Sequence, residues 1–431
     1  MTATRVPGKP HTDSPRSRWL LRAMILAATL FGVPASCYAA HKVNIDSCPP
    51  IARKRKTTAG RSRETCRPQH QKIKKSHDDL HSQGIDLSGS ILTDVSRNLR
   101  GGLTDQGVIG QYLVDLRAEI NTDRLFGWNG GTIFVDVQGH RGPSVQAKQT
   151  GSIQDPDNMD AYNVTGIDRA WYQQDLADKR VKLRIGLMYV DDQFLRVPYA
   201  QDFVSLDFSS DASISTFVLP TYPRGAFGAD TFVFPARSFY IAAGLFDGHL
   251  YHVLPYDPGG DFFIAQTGLK GRVMDLPGVL ELGMWRHTGT FERFIGGQQH
   301  HASGWYLVAG LKVYRPHAAG QQTGRGVGVF FQYGAGPPAV APISQHFGAG
   351  IAWTGPFPER PRDSMGLGVS DARLSAPAGF LSRFETVYEA YYRLSVSRAL
   401  SVQPDLQYWH NPGGNGIPSA LLLLVRTEFR F

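Results

Sequence analysis

The chain is short of what most enzymes and helical membrane proteins are built from. Outside its amino terminus the longest uninterrupted apolar run is Ala420 to Val425, far below the roughly 20 residues that a membrane-spanning helix requires. If the protein spans a membrane, it does so with strands. Only three cysteines occur in 431 residues, and no spaced set of His, Cys and carboxylate residues has metal-binding geometry. A Gly-x-Ser-x-Gly nucleophile element is also missing. His287, His300, His301 and His346 therefore have no serine partner in a recognisable setting, and the His300-His301 pair reads as solvated. No catalytic residue, metal or cofactor is expected. Charged residues are scarce at 19%, while glycine (47) and aromatics (11%) are plentiful, a balance that favours strands and turns over helices.

The positive charge is local. Residues 1–40 carry Arg16, Arg18 and Arg22, then the apolar stretch Ala23 to Val33, then the small residues Ala35, Ser36, Ala39 and Ala40. That order is an export signal, cleaved after about Ala39 or Ala40. Cys37 hints at a lipoprotein site, but Pro34 stands where a leucine is expected. Cleavage leaves Cys48 and Cys66, whose pairing is open. Residues 41–84 form a basic arm expected to be a solvated, disordered periplasmic segment. Between His41 and Lys75 there are eleven Lys or Arg against Asp46 and Glu64, a net of +9, and residues 1–40 add +4. Since the whole chain is +8, residues 76–431 carry 8 − 9 − 4 = −5. Such an arm suits lipid phosphate or another polyanion of the envelope. Nucleic acid is not a partner for an exported chain.

From Ile85 onward the dominant period is two. In the last segment, Leu421, Leu423, Val425, Thr427, Phe429 and Phe431 share one side, with Arg426, Glu428 and Arg430 on the other. One greasy and one charged face suit a barrel with lipid outside and water inside. Val181, Leu183, Ile185 and Leu187 likewise oppose Lys182 and Arg184, and Phe384 to Leu394 alternate with Glu385, Glu389 and Arg393. About sixteen such segments run from Ile85 to Phe431, an even number, so residues 85–431 are expected to form an all-β transmembrane antiparallel barrel with outer-membrane lipid around it. With an even count both barrel ends lie in the periplasm, and connections after odd-numbered strands should be the long, outward ones. Those near 141–165, 190–226, 247–261 and 289–302 are long; those near 175–180, 235–237 and 396–398 are short. The turn at 315–324 is longer than this pattern asks.

The longest connection, Val190 to Ala226, needs a use, and folding back into the lumen as a constriction loop supplies one. It offers Asp191, Asp192, Arg196, Tyr199 and Asp202, with phenylalanines and prolines to pin it to the wall. The inferred wall adds Arg117, Arg184, Glu281, Glu385 and Trp409, alongside Glu389, Gln407 and Arg426. Mixed-sign planar groups beside aromatic rings match a sugar's hydroxyl rim and apolar faces, whereas a phosphate pore would show a basic excess. The same residues would serve equally as ion pairs bracing the wall.

Several stretches resemble one family. Val387-Tyr-Glu-Ala-Tyr-Tyr392, followed by Val402-Gln-Pro-Asp-Leu-Gln-Tyr-Trp-His-Asn-Pro-Gly-Gly-Asn415, resembles the end of the carbohydrate-selective porins of the OprB type. Ala170-Trp-Tyr-Gln-Gln174, Leu183-Arg-Ile-Gly-Leu187, Pro220-Thr-Tyr-Pro223, Leu245-Phe-Asp-Gly248 and Gly127-Trp-Asn-Gly-Gly-Thr132 are similar too. The resemblance implies a sixteen-stranded barrel in the outer membrane of a Gram-negative bacterium, passing glucose and similar small sugars by facilitated diffusion. A general diffusion or small-anion pore is the other expectation. Monomer and homo-oligomer both stay open.

Overall fold

The computed structural model describes residues 79–249, 256–316 and 324–431; the export signal, Cys48, Cys66 and most of the basic arm lie outside these residues. Sixteen antiparallel strands follow one another round a closed ring. They are β1 (Ile85–Arg100), β2 (Ile109–Asn121), β3 (Gly131–Arg141), β4 (Val164–Leu176), β5 (Val181–Met188), β6 (Ala226–Ala236), β7 (Phe239–Asp247) and β8 (Asp261–Val273). The second half comprises β9 (Leu276–Glu292), β10 (Gln298–Tyr314), β11 (Gly326–Ala335), β12 (Ile343–Thr354), β13 (Ser364–Leu374), β14 (Phe384–Ser395), β15 (Leu400–His410) and β16 (Ala420–Arg430). Every strand pairs with its sequence neighbours, and β16 closes on β1 with Ser90 opposite Arg430 and Val95 opposite Val425. At the seam the Phe431 amide donates to the Gly89 carbonyl at 3.0 Å and Gly89 donates back at 2.8 Å. A Cβ on Gly89 would sit 2.5 Å from the Phe431 ring, so only glycine lets the ring lie there.

Alternation sorts the side chains as a water-filled tube in lipid demands. Leu183, Ile185, Leu245, Leu367, Leu423 and Val425 are exposed on the outside. Their in-between neighbours, such as Arg184, Gln403, Asp405 and Gln407, are buried on the inside. Leu422 and Leu424 face inward as well and are fully buried, which accounts for the apolar upper half of that face. The alternation is interrupted between β3 and β4. There the register shifts between Asp136 and Val137, since Asp136 opposes Arg169 but Val137 opposes Ile167. The extra residue, Asp168, makes a bulge, and consecutive residues Asp168 and Arg169 both reach inward contacts.

Connections after β3 (142–163), β5 (189–225) and β7 (248–260) are long, while Met274 and Asp275 make a two-residue turn with both φ values positive. One expectation changes. The connection after β9 shrinks to residues 293–297, because β9 and β10 continue as a paired hairpin through Gln298 and Glu292. Its polar residues satisfy their backbone in that ladder: Thr290 lies opposite His300, and the Thr290 Oγ1 to His300 Nδ1 contact is 3.0 Å. Its apolar residues, Phe291 buried 5.2 Å from the Phe217 ring centre and Phe294 and Ile295 exposed, do not alternate, which left no period-two signal there.

The β5–β6 connection crosses the ring. It leaves from β5, yet Glu389 on β14 accepts the Val204 and Ser205 amides at 2.6 and 3.0 Å. Ser364 on β13 donates to Asp202 at 2.7 Å, and His346 Nδ1 on β12 accepts the Ala212 amide at 3.2 Å. In a closed ring of sixteen, β13 is the strand farthest from β5. The partners are inward-facing side chains, so the segment runs through the interior. Phe194, Phe203, Phe208 and Phe217 within it are fully buried; Phe203 stacks on Phe208 at 4.5 Å and meets Phe330 and Tyr391 edge-on.

Candidate functional site

The β3–β4 connection also turns inward. Glu385 on β14 accepts the amides of Ile153 at 2.8 Å, Gln154 at 2.8 Å and Gly413 at 2.5 Å. Gln407 on β15 donates to the Pro156 carbonyl at 2.9 Å. The two connections are then tied together: Asn158 N–H donates to Val204 O at 2.8 Å, Asp155 N–H to Asp207 Oδ2 at 2.7 Å, and Tyr222 O–H to Met159 O at 2.8 Å. An inward loop must satisfy its backbone without neighbouring strands. Carboxylates that each accept two or three amides accomplish that and fix the loops as charge-assisted bonds do.

Between these loops and the wall lies a cavity of about 1230 Å³. Its lining includes six carboxylates (Asp155, Asp157, Asp160, Asp191, Asp192 and Asp247) against Arg196 and Arg224, a formal 2 − 6 = −4, beside Tyr189, Tyr222, Pro220 and Pro223. Two arginines that do not line it hold its acids. Arg169 bonds Asp192 at 2.9 and 3.0 Å and makes a close pair with Asp136, its guanidinium 4.8 Å from the Tyr189 ring centre. Arg426 forks onto Asp94, reaches Asp157 at 2.9 Å and donates to Asn158 Oδ1 at 2.8 Å. Burial dominates the loop acids: it pushes Asp191 up to about 6 against the Thr221 hydroxyl that donates to it at 2.6 Å. Burial together with nearby Asp160 and Glu385 pushes Asp155 up to about 7.

Of the ten residues singled out in the sequence, Asp191, Asp192 and Arg196 line this cavity. Arg196 spans to Gln201 Oε1 at 3.2 Å. The others are engaged elsewhere. Arg117 sits against Asp115 at 3.2 Å and Asp136 at 3.6 Å. Arg184 is buried, forked on Asp230 and 5.4 Å from the Trp171 ring centre. Tyr199, with positive φ, packs its ring where a Cβ on Gly328 would be, which pins the loop to the wall. Asp202 takes Ser364 and Arg393, the latter at 3.3 Å. Glu281 accepts from Tyr240 at 2.6 Å, and Glu385 anchors the β3–β4 loop. Trp409 is fully buried with its indole N–H on Gln407 Oε1 at 3.1 Å. Sequence reading passed over Arg169, Asp157 and Asn158. The closely spaced acids from Asp155 to Asp160, in a connection too long to be a plain turn, were the available signal.

A closed antiparallel ring with a lipid-facing apolar band, a polar interior and loops packed inside it defines a porin, a diffusion channel of the Gram-negative outer membrane. Residues 106–431 match the family described as carbohydrate-selective porin, OprB family, and the chain belongs to it. It is similar to Porin B of Pseudomonas aeruginosa, 20% identical over 412 residues, with 82% of this chain and 89% of the relative covered. The OprB structure of Pseudomonas putida at high pH superposes with a TM-score of 0.77 at 18% identity, covering 83% of this chain and 97% of that one. Its low-pH structure gives 0.56 at the same identity.

Proposed function

We propose that the cavity is the outer vestibule of a pathway for neutral monosaccharides such as glucose, and that Asp191, Asp192 and Arg196 exchange hydrogen bonds with the sugar at its narrow end. The reading is carried by one observation: acceptors, a guanidinium and tyrosine faces converge on a space of about 1230 Å³ whose formal charge is negative. Carboxylates pair with hydroxyl donors and the guanidinium with hydroxyl oxygens, a set that complements a neutral sugar. No bond is made or broken along such a path, and the protein acts without catalysis. A general diffusion pore or a small-anion pore is the rival. Planar-bilayer recordings separate them. Glucose should lower the ion current in a saturable way at concentrations where sucrose and phosphate added to the extracellular side leave it unchanged. Equal effects of glucose and sucrose would favour general diffusion, and block by extracellular phosphate would favour an anion pore.

A further inference from the structure

The opposite end of the lumen carries the opposite charge. Arg393 and Glu428 sit toward the periplasmic ends of β14 and β16, and with the turns at 355–363 and 396–399 they enclose a pocket of about 430 Å³. Its charged lining is Arg362, Arg393, Arg398 and Arg430 against the single carboxylate of Glu428, a formal 4 − 1 = +3. Glu428 is already shared: it makes a close pair with Arg393 and accepts from Arg430 Nε at 2.6 Å. Arg393 also reaches Asp202 at 3.3 Å and Ser401 Oγ at 3.2 Å. Among the described residues, neither the Arg362 nor the Arg398 side chain has a hydrogen-bond or ion-pair partner. Asp363, on the same turn, is occupied by the Tyr392 hydroxyl at 2.7 Å and the Ser395 amide at 2.9 Å and does not line the pocket.

The hydroxyls complete a donor set. Ser397 Oγ accepts from the Ala399 and Leu400 amides at 3.1 and 3.0 Å, which leaves its own hydrogen to donate outward. We propose that this pocket is a binding site for a small oxyanion, a phosphate group either free or carried on a sugar, at the periplasmic exit of the channel. Guanidinium forks recognise phosphate oxygens in pairs, and the volume falls within the roughly 300–1000 Å³ of small-molecule sites. The group comes from solution rather than from lipid. Arg426, Glu428 and Arg430 lie on the lumen face of β16, and Phe429 and Phe431, which alternate with them, are exposed on the lipid face.

The test uses the full-length porin and an Arg362→Gln/Arg398→Gln double variant, both clear of the vestibule, in bilayers of zwitterionic lipid at about 0.1 M ionic strength, where rim charges act over about 10 Å. Inorganic phosphate exchanged for chloride on one side, then the other, should reduce the unitary current from one side only in each inserted channel. The half-effect concentration should rise about tenfold or more in the double variant. Glucose block, unchanged in that variant, shows the channel intact and keeps this outcome separate from the vestibule reading. Glucose 6-phosphate acting at lower concentration than inorganic phosphate places the group on a sugar; equal potency places it free. An effect equal from both sides, or equal in the two proteins, overturns the proposal.

Discussion

Arg169 shows how much one residue can hold in this lumen. The bulge at Asp168 brings its guanidinium inward, and Asp136, with no exposed surface, and Asp192, at the cavity wall, both depend on it. Removing one partner of a buried pair costs roughly 3–5 kcal/mol, and less where water reaches the orphaned group, as it does at Asp192. Arg169→Gln should therefore leave the barrel assembled but weaken glucose block about tenfold, equivalent to about 1.4 kcal/mol; titrating the current with glucose checks it. Asp191 supplies a pH signature. Its carboxyl, held at about 6 by burial, binds its proton more tightly folded than unfolded, so its charging opposes loop docking as pH rises through 6 and that penalty fades as pH falls. The channel's cation preference should step down between about 7 and 6 on acidification as Asp155 and Asp191 take up protons, and Asp191→Asn should remove the lower part of the step; reversal potentials in a salt gradient read both. The sequence made the acids of the β5–β6 loop visible as polar residues in an overlong connection. It could not show that Arg184 is spent on Asp230 or that Tyr199 fills the space left by Gly328, because those outcomes depend on which strand stands opposite. Arg169 was hidden by the bulge, which breaks the period-two rule at the one place where it would have exposed the residue.

Among the elements, the two inward loops are tied to the wall by buried carboxylates, and Glu389 is the point where the longer one can be released. Its carboxylate accepts two amides from the far side of the ring. Glu389→Ala strands both donors, each at about 1–3 kcal/mol if buried unpaired, so loop docking becomes marginal. Larger, noisier unitary currents and loss of the glucose-over-sucrose difference should follow, with little change in the far-ultraviolet strand signal. An unchanged current would mean that Phe203, Phe208 and Tyr391 alone hold the loop. The number and order of the strands were legible, with ends such as those of β8, β12 and β13 running a few residues further than the alternation showed, because lipid on one side and water on the other impose a strict alternation on the sheet. The hairpin of β9 and β10 was not, since its extension is held by the backbone ladder and by the Thr290–His300 contact, and its apolar residues do not alternate.

Over the whole molecule, the lipid-facing band and the seam set stability. Leu245 lies on the outer face, and an arginine there should cost about 2–4 kcal/mol if its depth is near the bilayer midplane; denaturant titration of protein in vesicles measures this, with Gln266, buried on the inner face, as a contrasting site. Gly89→Val, which drives a side chain into the Phe431 ring, should lower the folded yield more than any single loop change. The two strands of that seam pair residues 430 − 90 = 340 positions apart, so nothing made early in synthesis can shut the ring. An unfinished sheet would carry two bare edges of amide and carbonyl groups that hydrocarbon cannot solvate. The polypeptide must therefore stay unlocked throughout its journey across the periplasm, and commitment to the bilayer becomes a single late event in which the last strand finds the first.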